Sequence, residues 1–161
     1  MLDLRIIKIS LNPLILLRRA QISDFDYITK ISHAEMDKVV PQSWNWESWF
    51  RDIENHIMNN HHKIFVIEVQ NNSVGYLWLN EEKNSLWITA IVLQTEYQRR
   101  TIGQNIMDYL IDESRKAGKE FIELGVQHNN TKALQFYSKI GFERFDHVKS
   151  VDTDLLRLRF Q

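Results

Sequence analysis

One stretch, residues 86–142, restricts the fold of this chain more than any other. It contains two apolar runs, Leu86–Leu93 and Phe121–Val126, and a helical pattern follows each run. The first run is apolar on both of its alternating faces, which is typical of a central strand covered on both sides. The stretch therefore predicts a strand–helix–strand–helix unit. In an open α/β sheet, such units bind ligands beside the carboxyl ends of their strands.

Both predicted helices have an apolar stripe at helical spacing. The stripe of the first helix consists of Ile102, Ile106, Met107, Leu110 and Ile111. The stripe of the second consists of Ala133, Leu134, Phe136, Tyr137 and Ile140. Gly141 stands where a residue in the left-handed conformation would end the second helix, and Asn130 is predicted to cap its start.

The turn into the first helix has an unusual charge for a helix start. It contains Arg99 and Arg100, whereas the positive end of the helix dipole favours Asp or Glu. The first N–H groups of a helix have no partner inside the helix, and nearby arginines suit a bound phosphate. A basic, solvated turn is the alternative, and these residues alone favour neither interpretation.

Two short motifs stand at the starts of these helices. They read Gln98-x-x-Thr101-x-Gly103 and Asn130-x-x-Ala133-x-x-x-Tyr137-x-x-x-Gly141-Phe142. The first resembles the signature Gln/Arg-x-x-Gly-x-Gly/Ala of the GNAT superfamily of acyl-CoA-dependent N-acyltransferases, and the second resembles that superfamily's second signature. The two together, in this order, form a strong signal. Thr101 departs from the pattern because the family usually has glycine there, and a positive φ at Thr101 would cost about 1–2 kcal/mol. Its hydroxyl could instead donate a hydrogen bond to a phosphate.

The resemblance implies a single GNAT domain over residues 1–161, of α/β class. The expected fold is a mixed central sheet of six or seven strands, splayed between the fourth and fifth strands and flanked by four helices. Length agrees, since 161 residues with 43% hydrophobic content make one ordinary domain. Near the amino-terminal end, the segment Leu4–Ile9 is predicted as an optional edge strand, and Ser23 as the N-cap of a helix.

The resemblance also implies acetyl-CoA as cosubstrate and assigns its binding residues. The backbone of Ile91, Val92 and Leu93 is expected to pair with the pantetheine arm, and the turn before the first helix to hold the pyrophosphate. The remaining expected cofactor-binding residues are Gln98, Arg99, Arg100, Thr101, Ile102, Gly103, Gln104, Asn130 and Tyr137. Tyr137 matches the family tyrosine that protonates the departing thiolate. The alternative is a core tyrosine with a backbone partner, and its place in the signature favours catalysis.

The general base is the least defined part of the predicted site. A related subfamily, the ribosomal-protein N-terminal alanine acetyltransferases, has a glutamate at the position of Gly125. The nearest carboxylate here is Glu123, which lies on the same strand face because it is two residues away. We therefore predict Glu123 as the base. A water chain that ends on Glu123, His128 or a carboxylate of the tryptophan-rich helix remains an alternative.

Three tryptophans close together, Trp44, Trp46 and Trp49, begin another amphipathic pattern. Aromatic residues at helical spacing usually pack in the core. In the GNAT families that this sequence resembles, however, the segment commonly forms one wall of the acceptor site. We therefore predict that Trp44, Trp46 and Glu47 contact the acceptor amine, with the rings in cation–π contact.

Composition excludes several other classes of protein. The formal net charge of −1 does not favour binding to nucleic acid or to an anionic membrane, and the absence of cysteine excludes thiolate metal sites and a cysteine nucleophile. No apolar run is long enough for a membrane span, and the first residues do not resemble a signal peptide. We expect a cytoplasmic protein that binds no metal, and His56, His61 and His62 in particular are not expected to form a metal site. Its substrate is a small-molecule or peptide amine, and a homodimer is left open.

Three functions remain after these exclusions. The favoured one is transfer of acetyl from acetyl-CoA to a primary amine, by direct attack in a ternary complex. The second is a catalytically silent, acyl-CoA-binding module of the same fold, which Thr101 and Gly125 favour. The third is a different nucleotide-binding domain, which is disfavoured because the five glycines are scattered and form no phosphate-binding loop motif.

Overall fold

The structure, a computed structural model, describes residues 6–11, 13–59, 61–99 and 101–161. Its strands are β1 (Ile6–Leu11), β2 (Leu14–Arg19), β3 (Ile64–Val69), β4 (Asn72–Glu81), β5 (Ser85–Leu93), β6 (Phe121–Gln127), β7 (Glu143–Val148) and β8 (Thr153–Arg159). Its helices are α1 (Phe25–Met36), α2 (Trp46–Ile57), α3 (Ile102–Lys116) and α4 (Thr131–Ile140). Over the described ranges, no helix has both the length and the apolar character that a membrane crossing needs.

The strands of the described chain form one mixed sheet in the order β1-β2-β3-β4-β5-β6-β8-β7. Strands β5 and β6 are parallel, and the other neighbouring pairs are antiparallel. The α/β class and the GNAT fold predicted from the sequence are confirmed, with eight strands instead of six or seven. Of the segment predicted as an optional edge strand, residues 6–9 belong to β1, at one edge of the sheet, and residues 4 and 5 lie outside the described residues.

Helices cover both faces of the sheet, so that β5 is buried from two sides. On one face, α3 places Ile106 and Met107 in a core cluster that also contains Ile88 of β5. On the other face, α1 and α2 pack in a second cluster that contains Ala90 and Val92 of β5. This arrangement confirms the prediction of a central strand and explains why the run is apolar on both faces.

The sheet opens in its middle, where β5 and β6 separate. They pair from Ser85↔Phe121 to Ile88↔Leu124. The next residue, Thr89, has no partner in β4, because Leu79 pairs with Ile88 and Trp78 with Ala90. Such a bulge bends a strand, and the Thr89 hydroxyl is held by Asn80 Nδ2 at 2.5 Å. The predicted splay between the fourth and fifth strands thus lies between β5 and β6, since β1 adds a strand before them.

The predicted helix caps are right at α4 and wrong at α1. The side chain of Asn130 accepts a hydrogen bond from the N–H of Ala133, and Gly141 ends α4 with φ 115. Ser23, predicted as an N-cap, lies inside a short 3₁₀ helix, and Asp24 precedes α1 instead. The carboxylate of Asp24 receives two hydrogen bonds from Arg18, at 2.9 and 3.0 Å. The N–H of Gln21 donates to the same carboxylate at 2.7 Å, so the 3₁₀ turn that contains Ser23 leads directly into α1.

Candidate active site

A cleft of about 170 Å³ lies between the separated ends of β5 and β6. Its walls include several residues that the sequence predicted, namely Trp44, Ile91, Val92, Leu93, Gln98, Asn130 and Tyr137. Because β5 stops pairing with β6 after Ile88, its later backbone has a free edge there. The carbonyl of Val92 faces β4, where it would collide with any side chain at Gly75. Since backbone groups of a strand alternate in direction, those of Ile91 and Leu93 face the cleft.

The turn into α3 is strained in a way that suits an anion. Arg99 and Thr101 have φ values of 62 and 64, which only a few per cent of non-glycine residues adopt. A β-branched residue in this conformation is a true outlier. A left-handed residue followed by a helix directs successive N–H groups to one point, and such nests bind phosphates. Arg100, predicted as a member of this turn, lies outside the described residues.

The other turn residues are placed so that only parts of them can reach a ligand. Ile102 is buried in the core with 1% exposure, and Gln104 Nε2 donates to Asp108 Oδ1 at 2.7 Å. Both therefore offer their backbone and not their side chains. Gly103 lies against the cleft, since a Cβ there would be 3.6 Å from Phe136 Cζ and 4.0 Å from Leu93 Cδ1.

Gln98 and Glu35 tie the turn to the rest of the cleft. Gln98 Nε2 donates to the carbonyl of Leu93 at 2.8 Å and to Glu35 Oε2 at 3.3 Å. Glu35, in the last turn of α1, also accepts hydrogen bonds from the N–H and hydroxyl of Thr95, at 3.1 and 3.0 Å. Glu35 could not be predicted as part of the cleft from the sequence, because its partners Thr95 and Gln98 lie 60 and 63 residues away.

Tyr137 is buried against Phe136 and Phe142, whose ring centroids lie 5.1 and 5.4 Å from its own. Its ring lines the cleft, and its hydroxyl has no hydrogen-bond partner among the described residues. Burial raises the pKa of Tyr137 well above its ordinary value. The phenol therefore stays protonated at neutral pH and remains available as a donor inside the cleft.

The structure places only one of the three predicted acceptor residues at the cleft. Trp44 and Trp49 line the cleft, with their ring centroids 5.2 Å apart. The indole N–H of Trp44 is buried and has no hydrogen-bond partner in the described structure. Trp46 instead stacks on Phe50, with centroids 5.2 Å apart, and Glu47 is exposed. Neither Trp46 nor Glu47 is among the residues that line the cleft.

Glu123, the predicted base, lies deeper in the sheet than the cleft. Its Oε1 accepts two hydrogen bonds from Arg157, at 2.8 and 2.5 Å, and it does not line the cleft. Gly125 and Gln127 share its strand face and do line the cleft. A Cβ at Gly125 would lie 2.9 Å from Thr153 Cγ2. A side chain at Gly125 would therefore require Thr153 to move.

A second polar cluster, beyond the cleft, was also missed by the sequence analysis. His128 and His147 each direct Nδ1 to Asp154, at 2.8 and 2.7 Å. Burial alone would raise the pKa of Asp154, but the hydrogen bonds from His128 and His147 hold it below its ordinary range. These residues meet only through strand pairing, which no spacing in the sequence reveals.

The amino-acid sequence is similar to those of known acetyltransferases. The profile of the Acetyltransferase (GNAT) family matches residues 25–142. An uncharacterised N-acetyltransferase of Methanocaldococcus jannaschii is 25% identical over 135 residues, which cover 80% of this chain and 59% of the relative. The ribosomal protein bS18-alanine N-acetyltransferase of Escherichia coli is 35% identical over 52 residues, or 32% of this chain and 35% of that protein. The chain thus matches little more than half of the first relative's length and about a third of the second's.

Solved structures show the same fold. The PaiA N-acetyltransferase of Thermoplasma acidophilum, in a complex with coenzyme A, has a TM-score of 0.73 with 19% identity. The similarity covers 91% of this chain and 99% of that one. At this level of identity the likeness concerns the fold. It extends beyond residues 25–142, to which the family profile is confined.

Proposed function

The chain belongs to the acetyltransferase (GNAT) family, and from this premise we propose that it transfers an acetyl group from acetyl-CoA to a primary amine. The observation that carries this proposal is the cleft between β5 and β6, which combines the free edge of β5 with Tyr137, whose hydroxyl has no partner among the described residues. The strained turn at Thr101 follows Gln98, which lines the same cleft. Each feature fits one part of an acyl-CoA thioester.

The cofactor would lie across the open edge of β5. Its pantetheine arm pairs with the backbone of Ile91 and Leu93, and Asn130 contributes a hydrogen bond from the opposite wall. The pyrophosphate accepts hydrogen bonds from backbone N–H groups of the turn from Arg99 to Gln104, at the positive end of the helix dipole. A backbone N–H near Leu93 polarises the thioester carbonyl, a contribution typically worth about 10²–10³ in rate.

The chemical step needs a proton donor for the leaving group. The neutral amine nitrogen attacks the thioester carbon and forms a tetrahedral intermediate with a new C–N bond. The C–S bond then breaks, and Tyr137 donates its proton to the departing sulfur, which prevents return to the thioester. The nitrogen, which is cationic after the attack, loses its second proton as the amide forms, and this proton restores the phenol of Tyr137. Burial keeps the pKa of Tyr137 high, so that the phenol carries its proton at neutral pH.

The amine must lose a proton before it attacks. We propose that Glu123 takes this proton through a water, because both of its hydrogen bonds to Arg157 use Oε1 and leave Oε2 for the water. Gly125, next on the same strand face, places no side chain between Glu123 and the cleft. Glu123→Gln should lower kcat at least tenfold while acetyl-CoA affinity is kept, and an unchanged kcat would exclude this base.

The acceptor would enter along the side of the cleft that Trp44 and Trp49 form. An aromatic wall attracts an ammonium group, and the buried N–H of Trp44 can donate to a carbonyl beside the amine. We therefore propose an amine of a peptide or small molecule as substrate. The predicted contacts of Trp46 and Glu47 remain part of this proposal, although they require movement of α2. The expected cytoplasmic location remains a prediction.

A catalytically silent, acyl-CoA-binding module is the second candidate. The observation that favours it is Gly125, where a side chain would approach Thr153 Cγ2 to 2.9 Å. A glutamate at this position, as in the alanine acetyltransferases, does not fit without rearrangement. Such a module would bind acetyl-CoA but release no thiol in the presence of amines.

The deciding experiment measures thiol release from acetyl-CoA across a panel of primary amines, with acetyl-CoA affinity from calorimetry. The panel contains small amines and peptides with free amino termini. We expect binding and amine-dependent thiol release. Binding without release from any amine would support the silent module, and absence of binding would contradict both candidates.

A further inference from the structure

We propose that His128, His147 and Asp154 bind a divalent transition-metal ion of the zinc class, at a site separate from the acetyl-CoA cleft. One ligand atom of each residue lies within 4.8 Å of the other two. The residues differ from the histidines His56, His61 and His62, for which the sequence analysis expected no metal.

Three neighbouring segments of the sheet bring these residues together. Asp154 lies on β8, where it pairs with Val126 of β6 on one side and with His147 of β7 on the other. His128 directly follows β6, and its backbone N–H donates to the carbonyl of Asp152 at 2.9 Å. Two of the three ligands therefore stand on adjacent strands, and the third is fixed at a strand end.

Imidazole nitrogens and a carboxylate form a ligand set that zinc accepts. Metal–ligand bonds in such sites measure about 2.0–2.2 Å, so in a tetrahedral site two ligand atoms of one ion lie about 3.4 Å apart. The ligand atoms observed here lie within 4.8 Å of one another, so the widest separation has to close by about 1.4 Å. The side chain of His128 is 58% exposed, which leaves room for this movement.

The surroundings of the cluster resemble the outer shell of a metal site. Asp154 is a buried carboxylate, with 4% of its side chain exposed, and it needs positive charge close by. Nε2 of His147, the ring nitrogen that faces away from Asp154, lies 3.4 Å from Asp152 Oδ1. Metal-binding histidines commonly present their second nitrogen to a carboxylate in this way, which fixes the tautomer.

Two positive charges would compete with the metal. Arg144 Nη1 lies 3.4 Å from Asp154 Oδ1, and the hydrogen bond to Asp154 raises the pKa of His128. Asp152 also faces the cluster, through its contact with Nε2 of His147. Arg144→Gln should tighten binding because it removes a repelling charge.

The test is calorimetric titration of the whole chain with zinc chloride, without acetyl-CoA, because its phosphates and any free coenzyme A released from it would bind zinc. We expect one ion per chain, at least tenfold weaker binding in His128→Gln and none in the His128→Gln, His147→Gln double variant. His61→Gln, which changes an exposed histidine elsewhere, is the matched control and should bind as the unchanged chain does. His128 is also exposed, and the metal-free melting temperature verifies that its variant folds.

Two results would overturn the proposal. Absence of zinc binding by the unchanged chain would show that His128, His147 and Asp154 form only a hydrogen-bonded cluster and no metal site. Equal weakening by His61→Gln and His128→Gln would show nonspecific binding to histidines.

Discussion

The two helices beside the open centre of the sheet begin in opposite ways. At α4, Asn130 has an ordinary backbone (φ −84) and accepts a hydrogen bond from the N–H of Ala133 at 3.3 Å. At α3, Thr101 has a φ of 64, and Arg99 before it has a φ of 62. The first turn of α3 contains no acidic residue.

We propose that this difference separates a helix start that a side-chain cap stabilises from one that a ligand would stabilise. A capping asparagine stabilises α4 by about 1 kcal/mol. The left-handed residues before α3 cost about 1–2 kcal/mol each, and strain of this kind persists at functional sites. We therefore attribute the conformation of the α3 turn to anion binding. Four substitutions test the contrast, from the largest expected effect to the smallest.

Filling the space beside the α3 turn should have the largest effect. Gly103→Phe places a ring between Leu93 and Phe136, where the pantetheine would pass. We expect at least hundredfold weaker binding of acetyl-CoA, about 2.8 kcal/mol, in a chain that still folds. Gly103→Ala is the control, because its Cβ makes ordinary contacts at 3.6 and 4.0 Å. Calorimetry that shows equal affinity for all three proteins would contradict this placement of the cofactor.

Removal of the Tyr137 hydroxyl tests whether α4 contributes chemistry as well as structure. Tyr137→Phe keeps the ring between Phe136 and Phe142, so melting temperature and acetyl-CoA affinity should hardly change. The loss of the proton donor should lower kcat at least tenfold, within the typical range of about 10²–10⁴ for general acids. Intact activity would show that the hydroxyl is not the acid, and a much lower melting temperature would show a structural role.

Removal of the side-chain cap of α4 should lower the stability of the protein moderately. Asn130→Ala is expected to lower the free energy of unfolding by about 1 kcal/mol, because the N–H of Ala133 loses its acceptor. Asn45 caps α2 in the same way, through the N–H of Ser48 at 2.9 Å. Asn45→Ala should lose similar stability yet keep full acetyl-CoA affinity, whereas Asn130→Ala should also weaken binding. Equal affinities in the two variants would remove Asn130 from the cofactor site.

Relief of strain at Thr101 should have the smallest effect. Thr101→Gly removes a cost of about 1–2 kcal/mol, but glycine loses more backbone entropy on folding, so the net gain in unfolding free energy should be below about 1 kcal/mol. Acetyl-CoA affinity should be equal or higher. A loss of more than tenfold would instead identify the Thr101 hydroxyl as a phosphate ligand.

The parts of the fold that sequence alone predicted are those with local causes. The apolar pattern of 86–93 and the stripes of the two following helices define β5, α3 and α4. Asn130 and Gly141 mark the ends of α4, since capping and positive φ are preferences of single residue types. The cleft residues near these elements could therefore be placed in advance.

The rest depends on partners that are distant in sequence. The ion pair of Glu123 with Arg157 requires the pairing of β6 with β8. Trp49 packs on Trp78 of β4, with ring centroids 5.0 Å apart, and this long-range contact places Trp49 at the cleft instead of Trp46. Arg18, which bonds Asp24 beside the misassigned cap Ser23, is itself held by Glu68, 50 residues away.

Whether an anion completes the start of α3 can be tested with two ligands that differ in their phosphates. Acetyl-CoA and S-acetyl-pantetheine share the thioester and the pantetheine arm, but only acetyl-CoA carries the pyrophosphate. Calorimetric affinities of the unchanged chain for both ligands measure what the turn at Arg99–Gln104 contributes. We predict that acetyl-CoA binds at least hundredfold more tightly, about 2.8 kcal/mol. Equal affinities would show that the turn binds no phosphate and would contradict the account.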